Sequence, residues 1–467
     1  MHAQPEDALT DHALVDDAQT PHDTFPFDPR FAPTHPPLSA HEAAVEAHRC
    51  LYCYDAPCIQ ACPTHIDIPT FIRKIATDNL RGSARTILEA NFLGGTCARV
   101  CPVEELCEGA CVLNAEEKPI AIGRLQRHAV DHVQGRGLQM FTAGTPTGRR
   151  VAVVGSGPAG LSVSAELAKL GHAVTLLEKR ELGGGLSTYG IIVLREPVEV
   201  SLQEVEAVRA LGVTVETGRE LTDQAGLAAL LEEYDAVFLG LGLGAVPAMG
   251  IPGEEHLIDG LQYIEDSKIA PGGLPNAQNV VVIGAGNTAI DAATIARRRG
   301  ADVTMLYRRT DSEMTAYRHE YEFALSEGVQ YRFLTQPIRV ISDGGKVTGV
   351  ECVKMVLGVP DTGGRPRPNP LPGSEFIVPC DTVISAIGQE KPALATEMGI
   401  EISGGYIVVN HDMQTSLPRV YAGGDCVRLR GTASTVMAVQ DGKYAAVAIH
   451  RQLSQQAESQ LQEAAHG

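Results

Sequence analysis

No apolar stretch of this chain approaches the roughly 18 residues that a membrane-crossing helix requires, so a transmembrane reading fails. The amino end lacks the basic segment followed by an apolar one that marks a secretory leader. Positive charge is short as well: 38 Lys and Arg stand against 57 Asp and Glu, a formal charge of −19. That balance argues against nucleic acid and against a membrane surface as partners. It says nothing positive about substrate, because acidic surfaces usually serve solubility. A cytoplasmic protein is expected, since a secreted chain would oxidise closely spaced cysteines to disulfides. At 467 residues, 44 % hydrophobic and 20 % charged, the composition is that of an ordinary globular protein of about three domains.

What the chain does have is a concentration of thiols. Eight of its 11 cysteines lie between Cys50 and Cys111. The first group is Cys50, Cys53, Cys58 and Cys62, the last followed by Pro63. The second is Cys97, Cys101, Cys107 and Cys111, with Pro102 after Cys101. Short spacings with Cys-Pro endings are the ligand style of iron–sulfur clusters, and eight thiolates suffice for two four-iron clusters. Zinc is the alternative, because a Cys-x2-Cys pair is also a zinc half-site. The Cys-Pro endings and the nucleotide motif that follows favour iron–sulfur. Cys352 and Cys380 sit in apolar runs and read as small buried hydrophobes, and Cys426 has no second cysteine near it in sequence.

Residues 1–36 are rich in Pro, Asp and His with little apolar periodicity, and read as a mobile acidic tail. A helical pattern follows: Ala43, Ala47 and Leu51 recur on one face, and Phe71, Ile72, Ile75 and Leu80 on another. So small and cysteine-dense a unit has little room for an apolar core, and clusters would staple it. A linker, Gly144 to Gly148, leads into α/β sequence. Strands are expected at 151–154, 173–177, 280–283, 303–307 and 329–334, with a helix at 317–326. A hairpin is expected to turn at Asp343, Gly344 and Gly345.

Gly155, Ser156, Gly157, Pro158, Ala159 and Gly160 follow the first strand and open a helix, and Glu178 stands at the end of the next strand. Glycines there permit the tight turn and close approach of backbone to a pyrophosphate, and the acid accepts from a ribose hydroxyl. Gly284, Gly286, Asn287 and Thr288 repeat the arrangement after 280–283, but the following strand ends in Arg308 and Arg309 instead of an acid. Arginine at that position suits a 2′-phosphate, adenine or pyrophosphate. A third segment, Gly423, Gly424 and Asp425 with a helix starting at Thr435 and Val436, is placed to meet a cofactor bound at the first loop.

With these segments in view the chain resembles the NAD(H)-linked flavin and iron–sulfur subunit of bacterial dihydropyrimidine dehydrogenase, and more distantly the glutamate synthase small subunit. The likeness rests on Cys50 to Cys53, Ala56 to Cys58, Ala61 to Thr64, Thr96 to Pro102, Leu106-Cys107 and Gly109 to Cys111. It continues through Pro119 to Gln126, Gly184 to Ser187, Gly284 to Thr288, Ala386 to Gly388 and Gly423 to Asp425. The resemblance implies an α/β fold with two Rossmann-like nucleotide-binding domains, the NAD(H) domain inserted in the FAD domain, preceded by an α-helical iron–sulfur domain. Expected boundaries are 37–143 for iron–sulfur, 144–270 and 389–467 for FAD, and 271–388 for NAD(H).

The resemblance also implies ligands. Cys50, Cys53, Cys58 and Cys111 would bind one [4Fe-4S] cluster. Cys62, Cys101, Cys107 and, unusually, Gln126 would bind the other, leaving Cys97 a bystander. Spacing alone makes Cys97 the obvious eighth ligand, and Gln126 by itself reads as an exposed helical residue. FAD residues map onto Gly155 to Gly160, Glu178, Lys179, Leu186, Arg195, Leu221, Gly424, Asp425, Thr435 and Val436. Nucleotide residues map onto Gly284, Gly286, Asn287, Thr288, Arg308, Arg309, Ala386, Ile387 and Gly388. Two departures stand out. Ile192 replaces a proline on the FAD side, and Thr315 replaces an arginine of the NADPH-using animal enzyme, which favours NADH with NADPH still open.

The implied function is electron input, NADH to FAD to two clusters, with no side-chain acid or base required. No barrel-like run follows residue 448, so pyrimidine reduction is expected on a partner subunit carrying FMN and clusters, in a heterotetramer. A glutamate synthase small subunit or another reductase is the alternative within enzymes. A redox-silent assembly protein is the alternative outside them.

Overall fold

The computed structural model describes residues 28–360, 364–427 and 433–466, with side chains described as far as residue 456. Most of the expected tail therefore lies outside the described residues. Its last stretch, from Asp28, does not hang free: Phe31 packs on an apolar core, Arg298 donates to Arg30 O, and Arg124 and Arg127 donate to Pro36 O and His35 O.

The cysteine-rich region folds as short helices, Ala40–His48, Pro57–Ala61, Ile68–Ala76, Leu80–Ala90, Gly94–Val100 and Ile122–Gln134. Ser39 and Asp67 cap the first and third through Glu42 N and Thr70 N, which fixes where each begins. Ala43 and Ala47 are buried, as their spacing predicts, but Leu51 lies beyond the helix end and is exposed. Leu80 begins a new helix instead of continuing the Phe71 face. The unit does possess a core: Phe71, Ile72, Ile87, Leu125 and Val130 are wholly buried together. The expectation of little apolar room fails because five helices converge on one centre. Each such side chain contributes about 1.5–3 kcal/mol on burial.

Beyond the linker come two parallel five-stranded sheets. The first has the order Val420–Ala422, Ala236–Leu239, Arg150–Val154, Ala173–Glu178, Thr214–Thr217. The second has the order Ile258–Asp259, Thr382–Ser385, Asn279–Ile283, Asp302–Leu306, Gln330–Arg332. Strand Val420–Ala422 returns to the first sheet only after the second is complete, so the second unit is inserted in the first. The outgoing and returning chains run side by side, Gly244 N donating to Glu390 O and Glu390 N to Ala245 O. The boundary expected at residue 271 is too late. Strand Ile258–Asp259 pairs with Thr382–Ser385, and helix Gly260–Ile269 buries Tyr263 and Ile264 in the second unit's core.

An antiparallel sheet projects from the second unit. Thr335–Asp343 and Lys346–Pro360 form the expected hairpin, turning at Gly344 and Gly345, both at positive φ as a two-residue turn requires. Strands Pro366–Pro370 and Phe376–Pro379 complete it.

Helix Thr435–His466 crosses helix Pro158–Lys169 at Gly442, where a Cβ would stand 2.5 Å from Ala159 O and 2.8 Å from Ser162 Cβ. Ser162 Oγ donates to Val439 O across the same crossing at 2.7 Å. Gly442→Ala is expected to force the helices apart and cost about 1–3 kcal/mol. Urea denaturation measures this, and a variant as stable as the parent contradicts the close crossing.

Candidate cofactor sites

Strand Arg150–Val154 ends at Gly155, whose φ of 93° and whose Cβ position 2.4 Å from Gly240 O admit only glycine. Gly160 is equally constrained, with a Cβ position 1.9 Å from Gly155 O. Gly157 caps helix Pro158–Lys169, and Pro158 occupies its first turn. A Cβ on Gly157 would meet nothing within 4 Å, so this helix N-terminus opens onto free space, where a pyrophosphate is favoured.

Glu178 is buried and accepts from Ser156 N at 2.9 Å, Ser156 Oγ at 2.5 Å and Arg180 N at 2.9 Å, which fixes the loop to the second strand. Gly424 lies against this loop, its Cβ position 3.2 Å from Ala159 Cβ. Gly424 N donates to Asp441 Oδ2 at 2.9 Å. Burial pushes the Asp441 carboxyl up to about 6, and sequence reasoning missed it. Asp425 follows, and Thr435 and buried Val436 open the final helix. Among the other expected FAD residues, Lys179 is exposed, Leu186 is 38 % exposed and Leu221 is buried in the first unit's core.

The second loop repeats the geometry. Gly284 has a φ of 139° and a Cβ position 2.2 Å from Ala386 O, while Ala386 N donates to Ile283 O. Gly286 caps helix Asn287–Arg298, which Thr288 continues, and Asn287 Oδ1 accepts from Tyr317 N at 3.2 Å. Exposed Ile387 and Gly388, the latter at a φ of 113°, complete the facing loop.

Two expectations need correction. Arg195 is committed to side chains of the second unit: partly buried, it holds both oxygens of Asp291 at 2.9 and 2.7 Å and pairs with Glu320, joining the two nucleotide units. Arg309 is buried too, its Nε donating to Pro366 O at 2.9 Å, so it holds the projecting sheet and only Arg308 is exposed. Gln126, which read alone would be a surface residue, is 7 % exposed, and its Nε2 donates to Gly94 O at 2.9 Å.

The thiols fall into two sets that cross the sequence order. Cys50, Cys53, Cys58 and Cys111 line one cavity with Ile68, Ile72 and Ile122. Burial pushes Cys58 up to about 11, with Cys50 and Cys111 adding to the shift. In the other set, a hydrogen bond with Cys97 raises the Cys101 thiol most, then burial, with Cys107 and Cys62 beside it. Cys97, the expected bystander, is therefore in contact with this set. Buried thiols become thiolates when metal replaces the proton. Among the described residues no three His, Cys, Asp or Glu converge on one ion position. Four thiols around one cavity walled by apolar side chains, and a second group of thiols around Cys101, suit the thiolate ligation of iron–sulfur clusters. The remaining cysteines are buried, with Cys352, Cys380 and Cys426 each pushed up to about 12 by burial.

A polar junction that sequence reasoning missed fastens this unit to the first nucleotide unit. Glu204 Oε1 accepts from Gly95 N and Thr96 N at 2.9 Å each, at the start of helix Gly94–Val100. Thr96 Oγ1 lies 2.6 Å from Glu204 Oε2 and 2.5 Å from Glu196 Oε1. One hydroxyl proton cannot serve both contacts, so one of the two carboxyls is protonated. Burial pushes both carboxyls up, but Lys268 beside Glu196 opposes the shift there, which leaves the proton to Glu204.

Fold and sites together define a flavoprotein oxidoreductase with two nucleotide units and an iron–sulfur domain. Residues 28–138 match the family described as dihydropyrimidine dehydrogenase domain II, 4Fe-4S cluster. Residues 149–442 match pyridine nucleotide-disulphide oxidoreductase. The chain belongs to this family, in the branch that holds glutamate synthase small chains and dihydropyrimidine dehydrogenase subunits.

It is 37 % identical over 431 residues to the NADP(+)-dependent formate dehydrogenase subunit beta of Moorella thermoacetica, covering 86 % of this chain but only 60 % of that one. It is 35 % identical over 436 residues to a glutamate synthase [NADPH] small chain of Halomonas elongata, covering 89 % and 92 %. It is 34 % identical over 418 residues to the NAD-dependent dihydropyrimidine dehydrogenase subunit PreT of Salmonella typhimurium, covering 88 % and 95 %. The fold is shared with Mycobacterium tuberculosis FprA at a TM-score of 0.55 and 19 % identity, over 67 % of this chain and 86 % of that one. Among the described residues no helix is long and apolar enough to cross a membrane.

The junction predicts a pH dependence. Burial, chiefly, pushes Glu204 up to about 8 from an ordinary 4.5, so folding takes up a proton between those values. The associated stabilisation is full below pH 4.5 and is lost as pH rises through 8. Between pH 7 and 9 the parent is expected to lose about 1.4 kcal/mol relative to Glu204→Gln, which keeps the donor to Thr96 at every pH. Parallel unfolding curves at the two pH values measure it, and equal slopes contradict the protonated junction.

Proposed function

We propose that this chain is the electron-input subunit of a dihydropyrimidine dehydrogenase. Cys50, Cys53, Cys58 and Cys111 hold one [4Fe-4S] cluster; Cys62, Cys101, Cys107 and Gln126 Oε1 hold the other, with Cys97 alongside. The observation that carries this reading is the crossed grouping of thiols, Cys111 with Cys50 and Cys58, Cys107 with Cys62. FAD, when bound, takes the two electrons of a hydride from a reduced nicotinamide nucleotide and releases them singly to the clusters.

The chain's own share is positioning. Backbone N–H groups at Gly157 and the helix behind it hold the flavin pyrophosphate, and Glu178 keeps that loop closed. Gly424 and Asp425 bound the same space from the opposite stretch of chain. The second loop, with Ala386 to Gly388, holds the nicotinamide nucleotide. The ionic bridge from Arg195 to Asp291 and Glu320 fixes the two nucleotide units in register, so hydride donor and acceptor meet without searching.

The electrons leave to a partner subunit that carries FMN and clusters and interconverts uracil or thymine with the dihydro base, in a heterotetramer. The Salmonella relative's name and the description of the family matched by residues 28–138 support this acceptor. A glutamate synthase is the second reading, supported by the Halomonas relative at nearly the same identity and coverage. Co-purification with the native partner, followed by assays for dihydrouracil and for glutamate, separates them: glutamate alone removes the pyrimidine reading. Either assignment requires colour; an iron-free, colourless chain supports the redox-silent alternative.

For the clusters, Cys111→Ser is expected to remove about half the iron and acid-labile sulfide of the anaerobically purified chain, and Cys97→Ser almost none. Metal and sulfide analysis decides it. Full iron in Cys111→Ser, or half in Cys97→Ser, contradicts the ligand sets.

A further inference from the structure

The second nucleotide loop has an unusual surround. Its strand, Asp302–Leu306, runs into Tyr307, Arg308 and Arg309. Arg309 turns inward and clamps Pro366 O, which seats the start of strand Pro366–Pro370 against this strand end. The residue just before that clamp is Arg365. Its Nη2 donates to Tyr307 Oη at 3.1 Å and to Glu313 O at 2.5 Å. The segment it braces continues to Thr315, whose N–H donates to Ala285 O within the glycine loop. Thr315 Oγ1 stands 3.3 Å from the Cβ position of Gly286. Arg365 is thus delivered by the projecting sheet to the loop edge beside which Thr315 stands.

Arg308 is exposed on the same strand end and makes no hydrogen bond or ion pair among the described residues. The nearby Glu313 carboxylate accepts from Thr310 N at 3.0 Å and Thr310 Oγ1 at 2.7 Å, with Arg309 and Arg365 close enough to favour its charge. A dianion at the end of a nucleotide-binding strand needs paired cations, and guanidinium groups match its oxygens. Arg308, one residue on from the Tyr307 that Arg365 holds, and Arg365 itself supply that pair.

We propose that Arg308 and Arg365 form a subsite for the 2′-phosphate of an NADP-type nucleotide, making NADPH the preferred hydride donor. Arg365 then takes over the charge that Thr315 lacks, and the preference for NADH read from Thr315 reverses. The proposal rests on the second glycine loop being the nicotinamide-nucleotide site.

Calorimetric binding of 2′,5′-ADP and 5′-AMP to the full, flavin-loaded chain tests it without turnover. The parent is expected to bind 2′,5′-ADP at least about tenfold more tightly than 5′-AMP. Arg365→Ala and Arg308→Ala should each remove most of that advantage, with Arg365→Lys restoring part of it. Arg308 braces nothing, so its variant separates lost charge from a disturbed loop. In steady-state oxidation with ferricyanide, the same substitutions should raise KM for NADPH relative to NADH more than they lower kcat. Equal binding of the two probes by the parent, or an advantage that survives both alanine variants, overturns the proposal alone. Binding of neither probe overturns it together with the assignment of this loop as a nucleotide site.

Discussion

A buried carboxyl, whose burial favours the protonated form, joins the cysteine-bearing helices to the first nucleotide unit, and the rest of the arrangement depends on it. Glu204 reaches from helix Val198–Arg209 to two backbone N–H groups and a hydroxyl at the start of helix Gly94–Val100. That short helix carries Cys97 and delivers Cys101, and its Gly94 carbonyl holds Gln126. Lys443, on the final helix, adds a second tie by donating to Ala90 O and Thr64 O. Removing a buried donor or acceptor from such a set leaves partners unsatisfied, at about 1–3 kcal/mol each. The junction thus fixes where one thiol set sits relative to the first glycine loop, and electron transfer between prosthetic groups depends on that distance.

A second bridge of the same kind acts between the nucleotide units. Arg195, from the first, is held by Asp291 and Glu320 from the second, and Asp291 Oδ2 also accepts from Ile192 N at 3.2 Å. Ile192 itself is buried in the second unit's core, where the family's proline would offer no N–H to that carboxylate. Buried ion pairs add little net stability but penalise alternatives strongly. The use of one between the nucleotide units points to orientation as what is being secured, because hydride transfer depends on register between two rings held by separate units.

The glycine loops, the insertion and the hairpin were legible in the sequence because each is written in local spacing: glycines at fixed offsets after an apolar run, or two glycines between alternating strands. The crossed thiol sets were legible only through family resemblance, since Cys111 meets Cys50 by a fold-back of the whole helical unit. Arg195 and Arg309 were misplaced for one reason. Each side chain finds its partner on a distant segment, and a polar residue read alone defaults to solvent or to a ligand. Glu204, Asp441 and Arg365 were missed on the same ground. Leu51 failed differently: its period was right, but the helix had already ended at His48.

The central claim is that thiolate-held iron takes electrons from a flavin that a nicotinamide nucleotide has reduced. Adding NADPH anaerobically to the purified chain, with optical and electron paramagnetic resonance spectra recorded together, tests it most directly. The account predicts that the flavin bleaches and that reduced iron–sulfur signals appear with it. Bleached flavin with no such signals, or zinc in place of iron in the thiol sets, would contradict it.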